Sequence, residues 1–159
     1  MTRSLAPLLS LLLAAGTARA DSGPLEPFAG RWEGRGTYIL HGETTNCGTF
    51  ALVFAAPPGS FVFVGGARAC DRHQESFTEV RMEARDGALR LGDQQVGSYD
   101  GDLVQAAFRQ PDGDGRWRNW RMSMRREGTT LVYEESRRMD GDATPMISFA
   151  GLLTRQPAP

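Results

Sequence analysis

The sequence predicts an all-β protein: a single antiparallel, up-and-down barrel of about eight to ten strands with one disulfide bond. Short or alternating apolar runs recur roughly every ten to fourteen residues, as strands do. Glycine, proline and aspartate separate these runs, and Asp-Gly pairs in such positions are typical of hairpin turns. No stretch carries the apolar period of a helix with several turns. A meander of this many strands can close on itself and lose its exposed edges.

Such turn signals separate most of the predicted strands. Asp86-Gly87 and Glu127-Gly128 are examples, and the longer segment from Pro111 to Gly115 is another. Turns of this composition favour hairpins between neighbouring strands. We therefore predict nine strands, at residues 31–41, 45–56, 61–70, 76–85, 88–91, 103–110, 116–125, 130–138 and 146–155.

Length and charge limit the classes of protein to consider. A chain of 159 residues is expected to form one domain. Its formal net charge is −1, and all 18 basic residues are arginines. A nearly neutral chain lacks the basic footprint of a nucleic-acid binder, so no nucleic-acid partner is predicted.

The first twenty residues are predicted to be a signal peptide. Arg3 precedes an apolar run at 8–15, and Ala18-Arg19-Ala20 has the small-x-small pattern of a cleavage site. The alternative is a membrane anchor, but a bilayer-spanning helix needs about 20 apolar residues. We expect cleavage after Ala20, a mature domain at 21–159, no membrane span, and export to the periplasm or the medium of a bacterium.

Cys47 and Cys70 are predicted to form a structural disulfide bond, because exported proteins fold in an oxidising compartment. The turn Pro57-Pro58-Gly59-Ser60 lies midway between them, so a hairpin centred there places the two cysteines opposite each other. Gly65-Gly66 could carry a bulge that shifts this register by one residue. A redox-active pair would need the Cys-x-x-Cys spacing, which the chain lacks.

Alternation along the strands predicts two different faces. In strand 116–125, Trp120 shares its face with Met122 and Met124, and Trp117 lies on the opposite face with Arg121. The inner face is therefore expected to be rich in aromatic residues and methionine, and the outer face rich in arginine. In strand 130–138, Leu131 and Tyr133 share one face with Glu135 and Arg137. We interpret the adjacent charges at 134–135 and 137–138 as a solvated face.

The segment Phe28–Tyr38, which reads FAGRWEGRGTY, contains Gly-x-Trp at the start of the first strand. In a small exported meander barrel this resembles the calycin superfamily, which includes lipocalins, fatty-acid-binding proteins and nitrobindin-like haem barrels. The segment Phe149–Arg155 is similar to the closing strand of that superfamily. The resemblance implies a cation–π contact between Trp32 and Arg155.

The same resemblance bears on cofactors. Nitrobindin-like barrels bind haem through a histidine in the C-terminal part, whereas His41 and His73 are the only histidines of this chain. We expect both to be solvated, and no cofactor is predicted.

The first strand suggests a ligand site. Trp32, Gly34, Gly36 and Tyr38 share a face, and the two glycines either leave room for a small apolar molecule or let neighbouring side chains fill the space. The other inward aromatic and methionine residues are core or pocket lining. The complete predicted lining is Trp32, Gly34, Gly36, Tyr38, Phe54, Phe63, Trp120, Met122, Met124 and Tyr133.

The primary functional hypothesis is an exported barrel that binds a small apolar ligand in its interior without catalysing a reaction. The alternative is an envelope interaction module, or a barrel of the protease-inhibitor type, that meets a protein partner through rim loops and an Arg/Trp outer face. Trp117, Arg116, Arg118 and Arg121 would form that face, and an exposed Trp117 would favour this alternative.

Catalysis and metal binding have less support in the sequence. No Gly-x-Ser-x-Gly or His-x-x-x-His motif is present, so neither a catalytic residue nor a metal site is predicted. The Asp-Gly-Asp turns at 112–114 and 140–142 would share one rim of the barrel, which leaves calcium binding there open.

Overall fold

The structure is a computed structural model that describes residues 24–111 and 114–157. The predicted signal peptide lies outside these residues. A short 3₁₀ helix, Glu26–Phe28, precedes eleven strands. They are β1 Gly30–Leu40, β2 Glu43–Ala55, β3 Ser60–Cys70, β4 His73–Phe77, β5 Val80–Arg85, β6 Ala88–Leu91, β7 Gln94–Asp100, β8 Leu103–Pro111, β9 Trp117–Glu127, β10 Thr130–Met139 and β11 Ile147–Arg155.

The strands form one antiparallel sheet that closes into a ring. Consecutive strands pair around the barrel, and β1 pairs with both β2 and β11 to complete it. β4 and β5 both pair with β3, at different points along it. They therefore share one position, and the ring has ten positions. The predicted all-β, up-and-down barrel with one disulfide bond is confirmed.

The observed strands differ from the predicted ones in two places. β7 was not predicted, because Gln94, Gln95 and Ser98 interrupt the apolar alternation by which a strand is recognised. The predicted strand 76–85 is two strands, since residues 78 and 79 separate β4 from β5. Turn signals do not mark this break, because β4 and β5 continue along the same partner, β3.

The β2–β3 hairpin brings Cys47 and Cys70 opposite each other, and they form the predicted disulfide bond. The register reaches this position through two irregularities. Val64 is an extra residue on β3, and Gly48 is an extra residue on β2. Each shifts the pairing by one residue, so together they cancel.

The beginning of β1 and the end of β11 close one end of the barrel. Trp32 is 0% exposed, and its indole Nε1 donates a hydrogen bond to the Phe28 carbonyl oxygen over 2.8 Å. Trp32 pairs with Arg155 in the β1–β11 register, and the Arg155 guanidinium carbon lies 5.9 Å from the centroid of the Trp32 rings. This is the contact that the resemblance implies. Arg155 also donates to the Ala29 carbonyl oxygen over 2.5 Å, which ties the 3₁₀ helix to the last strand.

Candidate functional site

Most of the predicted lining residues belong to one buried apolar core, which extends along the barrel from one end to the other. Trp32 lies at the closed end, and Tyr38 lies near the other end of the same strand. Phe54 and Phe63 face each other across the β2–β3 hairpin with ring centroids 5.4 Å apart. Buried side chains of Met122, Met124 and Tyr133 belong to the same apolar core, while Trp120 is half-buried.

The two glycines of β1 do not leave open room. A Cβ atom on Gly36 would collide with the ring of Phe149, and one on Gly34 would collide with the Leu152 backbone. Phe149 is therefore the side chain that uses the space over Gly36. Two interpretations of these glycines were open: room for a ligand, or space filled by neighbouring groups. The structure shows the second.

A buried ion-pair network lies toward the end of the barrel opposite Trp32. It consists of Arg68, Glu75, Glu135 and Arg137, which we call the ion-pair square. Arg137 Nη1 lies 2.6 Å from Glu75 Oε1, and Arg137 Nε lies 2.7 Å from Glu135 Oε1. Arg68 Nη2 forms an ion pair with Glu75 and lies 3.4 Å from Glu135 Oε1. The two arginines therefore share both carboxylates.

The ion-pair square corrects one sequence prediction. Glu135 and Arg137, which we had interpreted as part of a solvated face with Glu134 and Arg138, are only 4% and 6% exposed. Strand alternation is the reason, because both residues point the same way as Leu131 and Tyr133. Only Glu134 and Arg138 lie on the exposed side.

Aromatic rings surround Arg68, which is 1% exposed. Its guanidinium carbon lies 4.6 Å from the Tyr38 ring centroid, 5.0 Å from that of Phe149 and 5.3 Å from that of Phe77. Cation–π contacts of this kind become stronger when the cation is removed from water. Arg68 is thus held by two carboxylates on one side and by aromatic faces around it.

His73 also belongs to this region, contrary to the expectation that both histidines are solvated. It begins β4, is half-buried, and stacks on Tyr38 with ring centroids 5.0 Å apart. Its Nε2 lies 3.7 Å from Glu75 Oε2. His41 is exposed, in the turn between β1 and β2, as expected.

Several donors around the ion-pair square are buried without a hydrogen-bond partner in the described part of the chain. They are Nε and Nη1 of Arg68, Nε and Nη2 of Arg137, the Tyr38 hydroxyl and Trp120 Nε1. Arg137 Nε is close to Glu135 but badly aligned for a hydrogen bond. A buried polar group without a partner costs about 1–3 kcal/mol, so a group of them indicates where a ligand or ordered water would bind.

The electrostatics keep these groups in defined protonation states. Burial raises the pKa of Tyr38, although the nearby charge of Arg68 opposes this, so the hydroxyl keeps its proton and can donate. Burial also raises the pKa of Tyr133 well above its ordinary value, and Glu135, which accepts its hydrogen bond over 2.9 Å, raises it further.

The charged members of the square support each other. Burial alone would raise the pKa of Glu75, but the hydrogen bond and charge of Arg137, together with Arg68, outweigh burial and lower it. Burial alone would lower the pKa of Arg137, but Glu135 and Glu75 raise it. Glu75 is therefore ionised and Arg137 protonated at neutral pH.

The outer face of β9 carries an exposed aromatic residue. Trp117 is 44% exposed, and the Arg109 guanidinium carbon lies 4.7 Å from its ring centroid. Arg116 and Arg121 are also exposed. Arg118 was predicted to belong to this face, but it does not. It follows Trp117 directly in the strand, so its side chain points to the opposite side, inward, and it is half-buried.

Two grooves are lined mainly by outward-facing residues. One, of about 510 Å³, crosses β7 to β10 and includes Arg121 and Glu134. The other, of about 710 Å³, crosses β2, β1, β11 and β10 and includes Leu152. Neither contains Trp32, Tyr38 or the phenylalanines of the predicted lining.

The structure gives no support to calcium binding at the shared rim. Asp112 lies outside the described residues. Asp140 forms an ion pair with Arg109 and accepts a hydrogen bond from Asn119 Nδ2 over 2.6 Å, and these two contacts lower its pKa. Within residues 24–111 and 114–157, no group of three or more His, Cys, Asp or Glu side chains is placed to hold a metal ion.

Comparison with known proteins assigns no family. No protein-family model matches the chain, and no curated protein matches it. The calycin resemblance therefore remains a prediction. Across the described residues, no helix has the length and apolar character needed to cross a membrane.

Proposed function

We propose that this protein is an exported, non-catalytic barrel that binds a small, largely apolar ligand in its interior, in the half that contains the ion-pair square. The observation that carries the proposal is the set of buried donors without partners around Arg68 and Arg137. Burying charged groups in a core costs more free energy than burying apolar residues of the same size. We therefore expect these groups to contribute more to binding specificity than to stability.

The surroundings of these donors suit an apolar molecule. Phe77 and Phe149 flank Arg68, and Phe50 links this region to the deeper core, with its ring centroid 4.4 Å from that of Phe149. Met122 and Met124 line the same interior. Methionine side chains are flexible and polarisable, so they can adapt to a ligand.

Strand pairing supports a route to this region. Among the described residues, β4, which contains Glu75, pairs only with β3. β8 pairs with β7 from Leu103 to Ala106, but from Ala107 to Pro111 its only described partner is β9. These two partly unpaired strands lie on either side of the short β6–β7 hairpin in ring order. The wall of the barrel therefore has fewer ladder hydrogen bonds here, and local opening would require less free energy.

Native mass spectrometry of the protein purified from its own compartment tests the proposal. We expect a small molecule to co-purify, and Nile red, a neutral apolar dye, to bind the protein after that molecule is removed. Tyr38→Phe should weaken retention of the co-purified molecule, whereas Tyr99→Phe, in β7 toward the closed end, should not. A protein that carries no molecule and does not bind the dye would exclude an interior binding function.

The exposed Trp117 favours the second candidate, an envelope interaction module. Exposed tryptophan and arginine are the residue types that contribute most to protein interfaces. A photo-crosslinking residue at Trp117, expressed in the intact envelope, should then give one discrete adduct. The same residue at Leu152, which is exposed on β11, is the control. Equal or absent crosslinking at the two positions would count against this candidate.

A further inference from the structure

The acceptor atoms of the ion-pair square are all in use. Glu75 faces Arg137 with Oε1 and Arg68 with Oε2. Glu135 faces both arginines with Oε1 and accepts the Tyr133 hydrogen bond with Oε2. Around the square, the groups left over among the described residues are N–H groups of Arg68, Arg137 and Trp120, which can only donate, and the Tyr38 hydroxyl, which can donate or accept. A ligand that completes this site must therefore bring hydrogen-bond acceptors.

The charges of the square restrict the ligand further. Two guanidinium groups face two carboxylates, so the formal charges already balance. The charges that act on the Tyr38 hydroxyl are these same four groups. A bound anion would leave an uncompensated negative charge beside Glu75 and Glu135. Because the two carboxylates already neutralise the two arginines, the square has no net positive charge to offset the cost of removing an anion from water. An uncharged acceptor avoids this cost.

The geometry places the leftover donors against apolar surface. The guanidinium carbon of Arg68 lies 4.6 Å from the centroid of the Tyr38 ring, so the donors of these two residues belong to the same part of the interior. The ring centroids of Phe77 and Phe149 lie 5.3 Å and 5.0 Å from the same carbon. A ligand that reaches the donors would therefore have its apolar part in contact with aromatic rings.

We infer that the site takes an uncharged apolar ligand with a carbonyl oxygen, as in a ketone, ester or amide, which accepts hydrogen bonds from Arg68 and Tyr38. Fatty carboxylates and phosphates are disfavoured. This inference rests on the proposed function, because it names the chemical class of the interior ligand. A cationic amine is also disfavoured, since it would add donors where acceptors are required.

Three probes with the same number of carbon atoms test the inference: 2-undecanone, undecanoate and undecane. Each is titrated against the full-length mature protein loaded with Nile red, and displacement of the dye is measured. We expect 2-undecanone to bind at least about tenfold more tightly than undecane, because hydrogen bonds to charged groups contribute about 1.5–3 kcal/mol. We expect undecanoate to bind at least about tenfold more weakly than the ketone.

A matched pair of variants assigns the effect to the site. Tyr38→Phe removes one hydroxyl and should weaken binding of 2-undecanone by about threefold or more, with no change for undecane. Tyr99→Phe should change neither. The circular dichroism of both variants should match that of the unmodified protein.

The outcomes separate this inference from the proposed function. Undecanoate binding as tightly as the ketone would overturn the neutral-ligand inference and leave the binding function standing. Equal binding of ketone and undecane would show that water satisfies the donors, and would also overturn the inference. Failure of Nile red and all three probes to bind would overturn the proposed function itself.

Discussion

The two tryptophans Trp32 and Trp117 show how the surroundings of a side chain decide its contribution. Both lie near an arginine, but Trp32 is fully buried and hydrogen-bonded to Phe28, whereas Trp117 is 44% exposed. The burial of Trp32 removes a large apolar surface from water and holds the 3₁₀ helix against the barrel. Trp117 contributes no comparable buried surface, and in the second candidate function it would contact a protein partner instead.

Trp32→Ala should lower the free energy of unfolding by about 3–5 kcal/mol, because it leaves a cavity at the closed end and removes the partner of the Phe28 carbonyl. Trp117→Ala is the control and should change it by less than about 1 kcal/mol. Urea unfolding followed by circular dichroism measures both. Equal effects in the two variants would mean that Trp32 does not close the barrel as the structure shows.

At the scale of elements, small deviations from regular strands decide where side chains lie. The bulges at Val64 and Gly48 compensate each other and bring the cysteines of β2 and β3 into register. On β1, Gly36 has no side chain where the ring of Phe149 from β11 lies, so that ring can approach the strand closely. The interior packing of β1 therefore depends on a residue of the last strand.

Gly36→Ala should destabilise the protein by about 1–3 kcal/mol, because the new methyl group would displace Phe149 and press on the Ala150 backbone. Gly48→Ala is a matched control, since nothing lies within 4 Å of a Cβ atom at Gly48. Its effect should stay within about 0.5 kcal/mol. Thermal and urea unfolding of the two variants compare them. A neutral Gly36→Ala would show that Phe149 has space to move aside.

For the whole molecule, ring closure creates the interior in which the ion-pair square lies. Arg68 belongs to β3 and Glu75 to β4, whereas Glu135 and Arg137 belong to β10. The Arg68–Glu135 contact spans 67 residues of sequence. Only the closed barrel brings these strands together, so the stability of the fold and the protonation of the square are linked.

The stability of the protein should therefore depend on acid pH through Glu75. Its pKa is lowered on folding, so its contribution is complete above the ordinary glutamate value of about 4.3 and is lost as pH falls through the lower folded value. Between about pH 7 and about pH 3, the free energy of unfolding should decrease less steeply in Glu75→Gln than in the unmodified protein.

Glu83→Gln, at an exposed position of β5, is the control for removing a glutamate and should follow the unmodified protein. Urea unfolding at a series of pH values measures the three curves. Parallel curves for Glu75→Gln and the unmodified protein would contradict the coupling between Glu75 and the two arginines.

Local patterns were sufficient for much of the architecture. Alternation and Asp-Gly turns indicated most strands, and the midpoint of the Pro57–Ser60 turn indicated the disulfide pairing. β7 was missed because its polar residues hide the alternation. The ion-pair square was missed for a different reason: adjacent charges in β10 look like a solvated surface, although the phase of Tyr133 already pointed Glu135 and Arg137 inward.

The sequence by itself determined the class of fold, the order of most strands and the cysteine pair, because these follow from local turn chemistry and strand alternation. The contact of Trp32 with Arg155 was implied only by the calycin resemblance. Only the tertiary structure decided that Arg68 and Glu75 meet Glu135 and Arg137, and that Phe149 uses the space over Gly36. Such contacts join residues far apart in sequence. Their partners depend on strand register and on closure of the ring, which no local pattern encodes.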